Sequence, residues 1–359
     1  MAPEFLVPLL GFAVACLYGA IVQRTGFCTM GAFADAVSFG DQTRLRMYVV
    51  AIVVAILGSQ ALRLGGLVDL TQSIYAGSRV PWLAHIVGGV LFGIGMSLAS
   101  GCGARNLVRL GAGNLKSLLV LLVMALAAYA TLRGVLAPVR VHVLEQPRLV
   151  FQGTSDLPSV VGNAAATWIT LSIASGSAWW CLGDREFRSS AGPLLGGAAI
   201  GLLVVAGWYV TGHLGFVPED PETLEALFAG TNTKRPESLT YVAPLAWSLE
   251  WITLWSDGSR HITFGIAAVL GAPVGAAVQA LATGQFRFEL FTSPADVGRH
   301  VAGAILMGFG GVTALGCSIG QGITGVSTLA IGSLITLAAI TAGSIGTLQM
   351  LHWRLMRAA

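Results

Sequence analysis

Apolar residues in this 359-residue chain gather in long unbroken runs, not in the alternating or 3.6-period patterns of water-facing strands and helices. A membrane-crossing helix needs about 20 mostly apolar residues. Nine runs have that length, at roughly 4–23, 45–64, 82–100, 115–134, 160–182, 192–211, 260–281, 298–315 and 330–350. The first begins at Phe5 without a basic leader and reads as a true span. The segment 239–256 carries Pro244 and Glu250 and reads as interfacial or partly inserted, a tenth span being the alternative. Two long connections, about 135–159 and 212–258, hold most of the Pro and acidic residues and are expected outside the membrane.

Composition agrees with this pattern. Charged residues make up 10% of the chain, against about 25% in soluble domains. Mean hydropathy is +0.76. A soluble enzyme of ordinary surface and a nucleic-acid binder with a basic stripe are both excluded. The expected fold class is an all-α polytopic membrane protein of about nine transmembrane helices with short broken or re-entrant helices, embedded in the lipid bilayer. The 47 glycines suit helices that pack closely or break within a bilayer.

The chain repeats itself. Residues 85–103 read HIVGGVLFGIGMSLASGCG and residues 300–318 read HVAGAILMGFGGVTALGCS. At a fixed offset of 215, His85 matches His300, Gly88 matches Gly303, Gly93 matches Gly308, Gly95 matches Gly310, and Gly101-Cys102 matches Gly316-Cys317. With four spans in each half and 160–182 between them, the second half is expected upside down relative to the first, the inverted-repeat plan of many transporters. The expected division is 1–134 for the first repeat, 135–191 for a connecting loop and linker helix, and 192–359 for the second, inverted repeat. With the N-terminus outside, 12 of the 20 Lys and Arg residues face the cytoplasm, a modest positive-inside bias.

Three of the five cysteines share a local grammar: Cys28 in QRTGFCTMGAFADA, Cys102 in ASGCGARNLVRLGAG and Cys317 in ALGCSIGQGITG. Each follows an apolar run, has Gly26, Gly101 or Gly316 just before it, and precedes about ten residues that suit a short half-helix. Gly103, Gly320 and Gly322 fall in the turns that follow. A broken helix is tolerated at membrane depth only where it lines a cavity or is buried in protein. Its N-terminus then offers free N–H groups and about half a positive charge to an anion. A thiol adds a weak, soft donor, whereas a fixed charge at the bilayer centre costs roughly 2.5–3.5 kcal/mol on insertion scales. Cys16 and Cys181 lie in plain apolar runs and read as small buried hydrophobes. No CxxC and no His at ligand spacing suggests a metal or a disulfide framework, and no cofactor is expected.

The blocks Gln23 to Asp35, Gly93 to Leu107 and Met307 to Gly325 together resemble the YeeE/YedE sulphur-transport family of bacterial inner-membrane proteins. The likeness spans both halves and implies uptake of thiosulfate through an hourglass-shaped helical protein, with Cys28, Cys102 and Cys317 lining the path. It also implies a separate cytoplasmic sulfur-carrier partner of the TusA type. Cys102 is followed by GARN where the family has a Ser-Gly pair, which sets Arg105 near the site and bears on anion preference. Asn106 and Gln321, each four residues after a repeat cysteine, are candidates to donate to oxyanion oxygens, with bonding to nearby backbone as the alternative. Arg105 and Arg109 read either as anion attractors or as membrane anchors, His85 and His300 as structural, and Asp35 as a tertiary partner rather than a proton carrier.

The expected function is therefore a non-enzymatic inner-membrane permease importing thiosulfate, its thiols meeting the anion's terminal sulfur in turn. The rival readings are transport of a selenium compound or sulfite and, from a different class, a membrane thiol oxidoreductase. The GAGNLKS stretch at 111–117 lacks the contiguous Gly-Lys-Ser of a P-loop.

Overall fold

The computed structural model describes residues 2–219, 226–258 and 260–358. Twelve helices carry the argument. In the first half they are α1 Pro3–Thr25, α2 Thr29–Ser38, α3 Thr43–Leu64, α4 Trp82–Leu98, α5 Gly103–Gly111 and α6 Leu115–Leu132. They are followed by α7 Asn163–Gly183, α8 Ala191–Tyr209, α9 Val242–Thr253, α10 Phe264–Ala282, α11 Pro294–Thr313 and α12 Ile331–Ala358. A π-turn at Gly320–Gly325 stands where α5 stands in the first half. Among the described residues, sheet is confined to two antiparallel ladders of two residues per strand, Arg79–Val80 with Leu149–Val150 and Phe216–Val217 with Leu227–Phe228.

Among the described residues, seven helical segments are long and apolar enough to cross a membrane. The runs at 160–182 and 298–315 do form long helices, α7 and α11, of 21 and 20 residues. They are not among those seven, because α11 carries Asp296 and Arg299 in its first two turns and α7 is rich in Ser, Thr and Gly. The outer surface is apolar in the way lipid requires. On α6, Leu118, Leu122 and Leu126 are exposed along one stripe, while Val120, Met124 and Ala128 on the other side are fully buried. The protein is thus a multi-pass α-helical membrane protein.

Within the connection 212–258, the stretch read as interfacial or partly inserted packs into the protein. Leu239, Tyr241, Val242 and Ala246 are fully buried, and α9 has only 12 residues, too few to span. Ser238 donates to the Val204 carbonyl of α8 at 2.7 Å and Thr324 donates to the Leu239 carbonyl at 2.7 Å, which satisfies the non-helical backbone inside protein. The start of the stretch 239–256 is therefore buried among the helices, and its helix is too short to form a tenth span.

Contacts between the halves come in exchanged pairs. Helix α1 packs along α10 and α3 along α8; α4 packs on α12 and α6 on α11; α2 packs on α12 and α9 on α6. Repeat helices α4 and α11 meet antiparallel through glycine. A Cβ on Gly88 would lie 2.7 Å from the Gly310 carbonyl oxygen, and one on Gly95 would lie 2.6 Å from that of Gly303. Gly88 matches Gly303 and Gly95 matches Gly310 in sequence, so each glycine meets the counterpart of the other, as a two-fold axis between the helices requires.

Candidate functional site

Both repeat helices end in the same backbone device. Ser100 and Leu315 have φ of 57° and 59°, and Gly101 and Gly316 follow with φ of 156° and 159°. The Gly101 N–H returns to the Met96 carbonyl at 2.8 Å and the Gly316 N–H to the Gly311 carbonyl at 2.7 Å. This is a Schellman-type closure. A left-handed non-glycine residue costs about 1–2 kcal/mol, and the same cost is borne at both positions. The closure aims the next residue, Cys102 or Cys317, at the start of a new turn. Each cysteine carbonyl accepts the first bond of that turn, from Asn106 N–H at 3.0 Å and from Gln321 N–H at 2.7 Å.

Cys28 reaches an equivalent position by a shorter route. Gly26 ends α1 in the left-handed region at φ 68°, and Cys28 caps α2 with its sulfur accepting from the Gly31 N–H at 3.3 Å. The Cys317 sulfur caps likewise, accepting from the Gly320 N–H at 3.3 Å. Cys102 makes no such cap bond. All three thiols are free and buried, and Cys102 is within electrostatic reach of both Cys28 and Cys317. The three are thus gathered in one buried region.

Aromatic and hydroxyl groups close around them. The Tyr48 hydroxyl donates to the Ser318 carbonyl at 2.9 Å, and the Tyr18 and Tyr241 rings sit 5.5 Å apart. Tyr18 is within reach of all three thiols, and Tyr241 of Cys102 and Cys317. Tyr241 precedes α9 at its N-cap, the place Cys28 holds before α2. Its hydroxyl is fully buried with no hydrogen-bond partner, while the Ser318 side chain faces the Cys102 thiol and the Thr29 side chain faces the Tyr48 phenol. Buried hydroxyls normally find partners, so the unpartnered Tyr241 hydroxyl, with Ser318 and Thr29 close by, marks a polar lining beside the thiols. Tyr241 is not among the residues the sequence singles out, because it shares neither the cysteine nor the glycine pattern; its signal is the Tyr-Val-Ala-Pro start of a helix too short to span.

The remaining candidates divide. Gly320 and Gly322 have no Cβ to collide with Thr240 and the Tyr48 hydroxyl, which come against the turn after Cys317, and Gly103 admits the Met124 methyl. Asn106 spends its amide on the Gly101 and Cys102 carbonyls at 3.0 and 3.1 Å, and Gln321 donates to the Ala314 carbonyl at 2.5 Å. Both amides therefore bind the backbone of the break. Arg105 donates to the Val22 carbonyl at 3.3 Å and is within reach of Cys28, Cys102, Arg44 and Arg109. Asp35 pairs with Arg44 at 3.2 Å. His85 meets Thr336 at 2.7 Å, and His300 meets the Asp296 carbonyl at 2.8 Å. Cys16 lies elsewhere, its carbonyl against Gly275 of α10, and Cys181 bonds the Arg46 carbonyl at 3.7 Å. Among the described residues no cluster of three or more His, Cys, Asp or Glu is arranged to hold a metal.

Two polar cavities open on opposite ends of the bundle. One, of about 350 Å³, is lined by Ser100, Arg105, Arg109, Lys116, Arg287 and His300, with Glu289 and Asp296 as its acids. It lies at the C-terminal end of α1, beside Gln23. The other, of about 530 Å³, is lined by Thr71, Gln72, Phe228, Thr233, Lys234 and Arg235. It lies at the opposite end, where Val7 of α1 meets Gly230.

The chain is 27% identical over 337 residues to a thiosulfate transporter, TsuA, of Spirochaeta thermophila, covering 90% of this chain and 92% of that protein. It is 25% identical over 339 residues to the thiosulfate transporter TsuA of Escherichia coli K12, covering 89% and 87%. The sequence profile of the family described as Sulphur transport matches residues 24–346. The broken helices, their placed thiols and this match over most of the chain agree: the protein belongs to the Sulphur transport family.

Proposed function

We propose that the protein carries thiosulfate inward across a bacterial inner membrane, along a route from the Lys234–Arg235 cavity past the thiols to the Arg105–Arg109 cavity. The observation that carries this reading is the gathering of Cys28, Cys102 and Cys317 at helix starts, in a buried region lined by the hydroxyls of Ser318 and Tyr241. Helix N-termini favour an anion without a trapping full charge. The thiols are soft S–H donors suited to the terminal sulfur, and the Tyr241 hydroxyl suits the oxygens. The Cys102 sulfur, within reach of both other thiols, is the central contact. Both relatives are named as thiosulfate transporters, which supports the choice of anion. The two matched halves, 1–134 and 192–359, act as one inverted pair, with 135–191 as the connection. A sulfur-carrier protein of the TusA type would receive the product at the cavity lined by Arg105 and Arg287.

The test is uptake of radiolabelled thiosulfate by cells lacking their own importers, with unlabelled sulfite, sulfate and selenium oxyanions as competitors. Uptake suppressed only by thiosulfate supports the reading. Uptake suppressed better by a selenium compound or sulfite replaces the anion, and no uptake removes the reading.

A further inference from the structure

Glu237 lies in the extended stretch between the Lys234–Arg235 cavity and Tyr241, and it is 4% exposed. Its backbone is fastened on both sides by Thr211 of the turn after α8: its N–H donates to Thr211 Oγ1 at 3.1 Å, and its carbonyl accepts from that hydroxyl at 2.5 Å. The backbone N–H groups of Asn232 and Gly265 bear on the carboxyl, yet Oε1 has no hydrogen-bond partner. The other buried acids are paired, Glu250 with Arg133 at 3.0 Å and Arg260 at 3.2 Å, and Asp156 with Arg63 at 3.5 Å. Among the described residues no charged side chain from α8, α10 or the loop before α4 bears on Glu237. Lys234 and Arg235, on its own stretch, line the cavity instead. The titratable group facing it is the Tyr75 phenol, which is also within electrostatic reach of Cys317. Thr240, three residues on, packs against Gly320. Glu237 thus stands, along the chain, between the cavity-lining Lys234 and Arg235 and Thr240 beside the turn after Cys317, on the limb of the proposed route that joins cavity to thiols.

A buried carboxylate with no cation is costly, and such a group takes up a proton instead. Burial pushes the Glu237 carboxyl up to about 8, against the opposing pull of the two N–H groups. Ionised, it would set a negative charge beside the route of a dianion, in a region where charges are poorly screened.

We propose that Glu237 is a proton-binding gate on this limb: the anion passes while the carboxyl is protonated and is repelled when it ionises. The proton is taken from the adjoining aqueous cavity and returned to it, so none need cross with the anion. The inference rests on the reading that an oxyanion uses this route.

The test is thiosulfate uptake into proteoliposomes at equal pH on both sides, so that no proton gradient drives it. Thiosulfate stays fully ionised across the range used. Wild-type uptake should fall about 30-fold between pH 6.5 and 9.5, following the protonated fraction of a group titrating near 8. Glu237→Gln should hold near the wild-type low-pH rate throughout. In infrared difference spectra, the C=O band of a protonated carboxyl should be present at neutral pH, vanish by pH 9.5, and be missing from the Gln variant. A flat wild-type profile overturns the proposal, as does a Gln variant that keeps the wild-type fall or folds but transports at no pH. Should the Gln variant not fold, Glu237→Asp keeps a carboxyl and must fall with a displaced midpoint; an unchanged midpoint overturns the proposal. If wild type moves no thiosulfate at any pH, the transport reading fails, and the infrared band decides the proton site by itself: a band that does not titrate overturns it.

Discussion

The breaks at Cys102 and Cys317 are alike in backbone and unlike in chemistry. Both use a left-handed residue, a positive-φ glycine and a six-residue closure at matched positions. Beyond the sulfur they diverge. Cys317 is held by the Gly320 N–H and enters a π-turn of neutral residues. Cys102, its thiol facing the Ser318 side chain and the Arg105 backbone N–H, starts a regular helix and has the Arg105 guanidinium near it. The other matched pair repeats the lesson, with Cys28 before α2 answered by Tyr241 before α9. A near-symmetric frame can hold two helix starts against each other from opposite sides, while direction needs the two sides to differ. Symmetry sits in the backbone and asymmetry in the side chains.

The largest effect should come from breaking the frame. Gly310→Val puts side-chain atoms where a Cβ already lies 2.5 Å from the Gly88 carbonyl oxygen, a backbone atom that cannot yield cheaply. Loss of monodisperse folded protein on size exclusion is expected, with Gly346→Val, which has open space around it, as the tolerated control. Next is Tyr241→Phe, which removes the orphan hydroxyl and keeps the ring against Tyr18. A hydrogen bond worth about 0.5–1.5 kcal/mol corresponds to an uptake loss of up to about tenfold. Tyr209→Phe, on α8 against His213, should change nothing.

Arg105→Gln should weaken uptake a few-fold at low ionic strength, and the difference should narrow as salt screens the charge across the open cavity. The smallest effect concerns stability. The folded carboxyl of Glu237 is raised to about 8 by burial, above its unfolded value of about 4.3. The folded state therefore holds an extra proton between those values. Its contribution is fully present below about 4.3 and is lost as pH rises towards 8. Thermal unfolding of wild type should ease from pH 5 to 8 relative to Glu237→Gln.

Much of this was legible in the chain. Long apolar runs have no other use at this length, so the membrane class and most spans followed directly. The Gly-Cys pairs announced the breaks because glycine before a polar residue at the end of a span has little reason to exist otherwise. The buried start of α9 and its Tyr241 were only partly legible, since Pro244 and Glu250 mark the stretch as interfacial or partly inserted, and only the fold shows Arg133 and Arg260 neutralising the acid. Glu237 was hidden for a related reason: burial of an isolated carboxyl is a tertiary fact with no local pattern. Asn106 and Gln321 were visible as a matched pair, but only the fold reveals that their amide N–H groups bind the break's own carbonyls.

The most direct test of the central claim is labelled-thiosulfate uptake by single cysteine variants at matched membrane abundance. The gathered thiols predict that Cys102→Ala abolishes uptake and that Cys28→Ala and Cys317→Ala reduce it at least tenfold. Cys16→Ala and Cys181→Ala, whose residues lie on helix seams away from the cluster, should transport as wild type does. Full uptake by a folded Cys102→Ala variant would contradict the account, as would equal losses from all five substitutions.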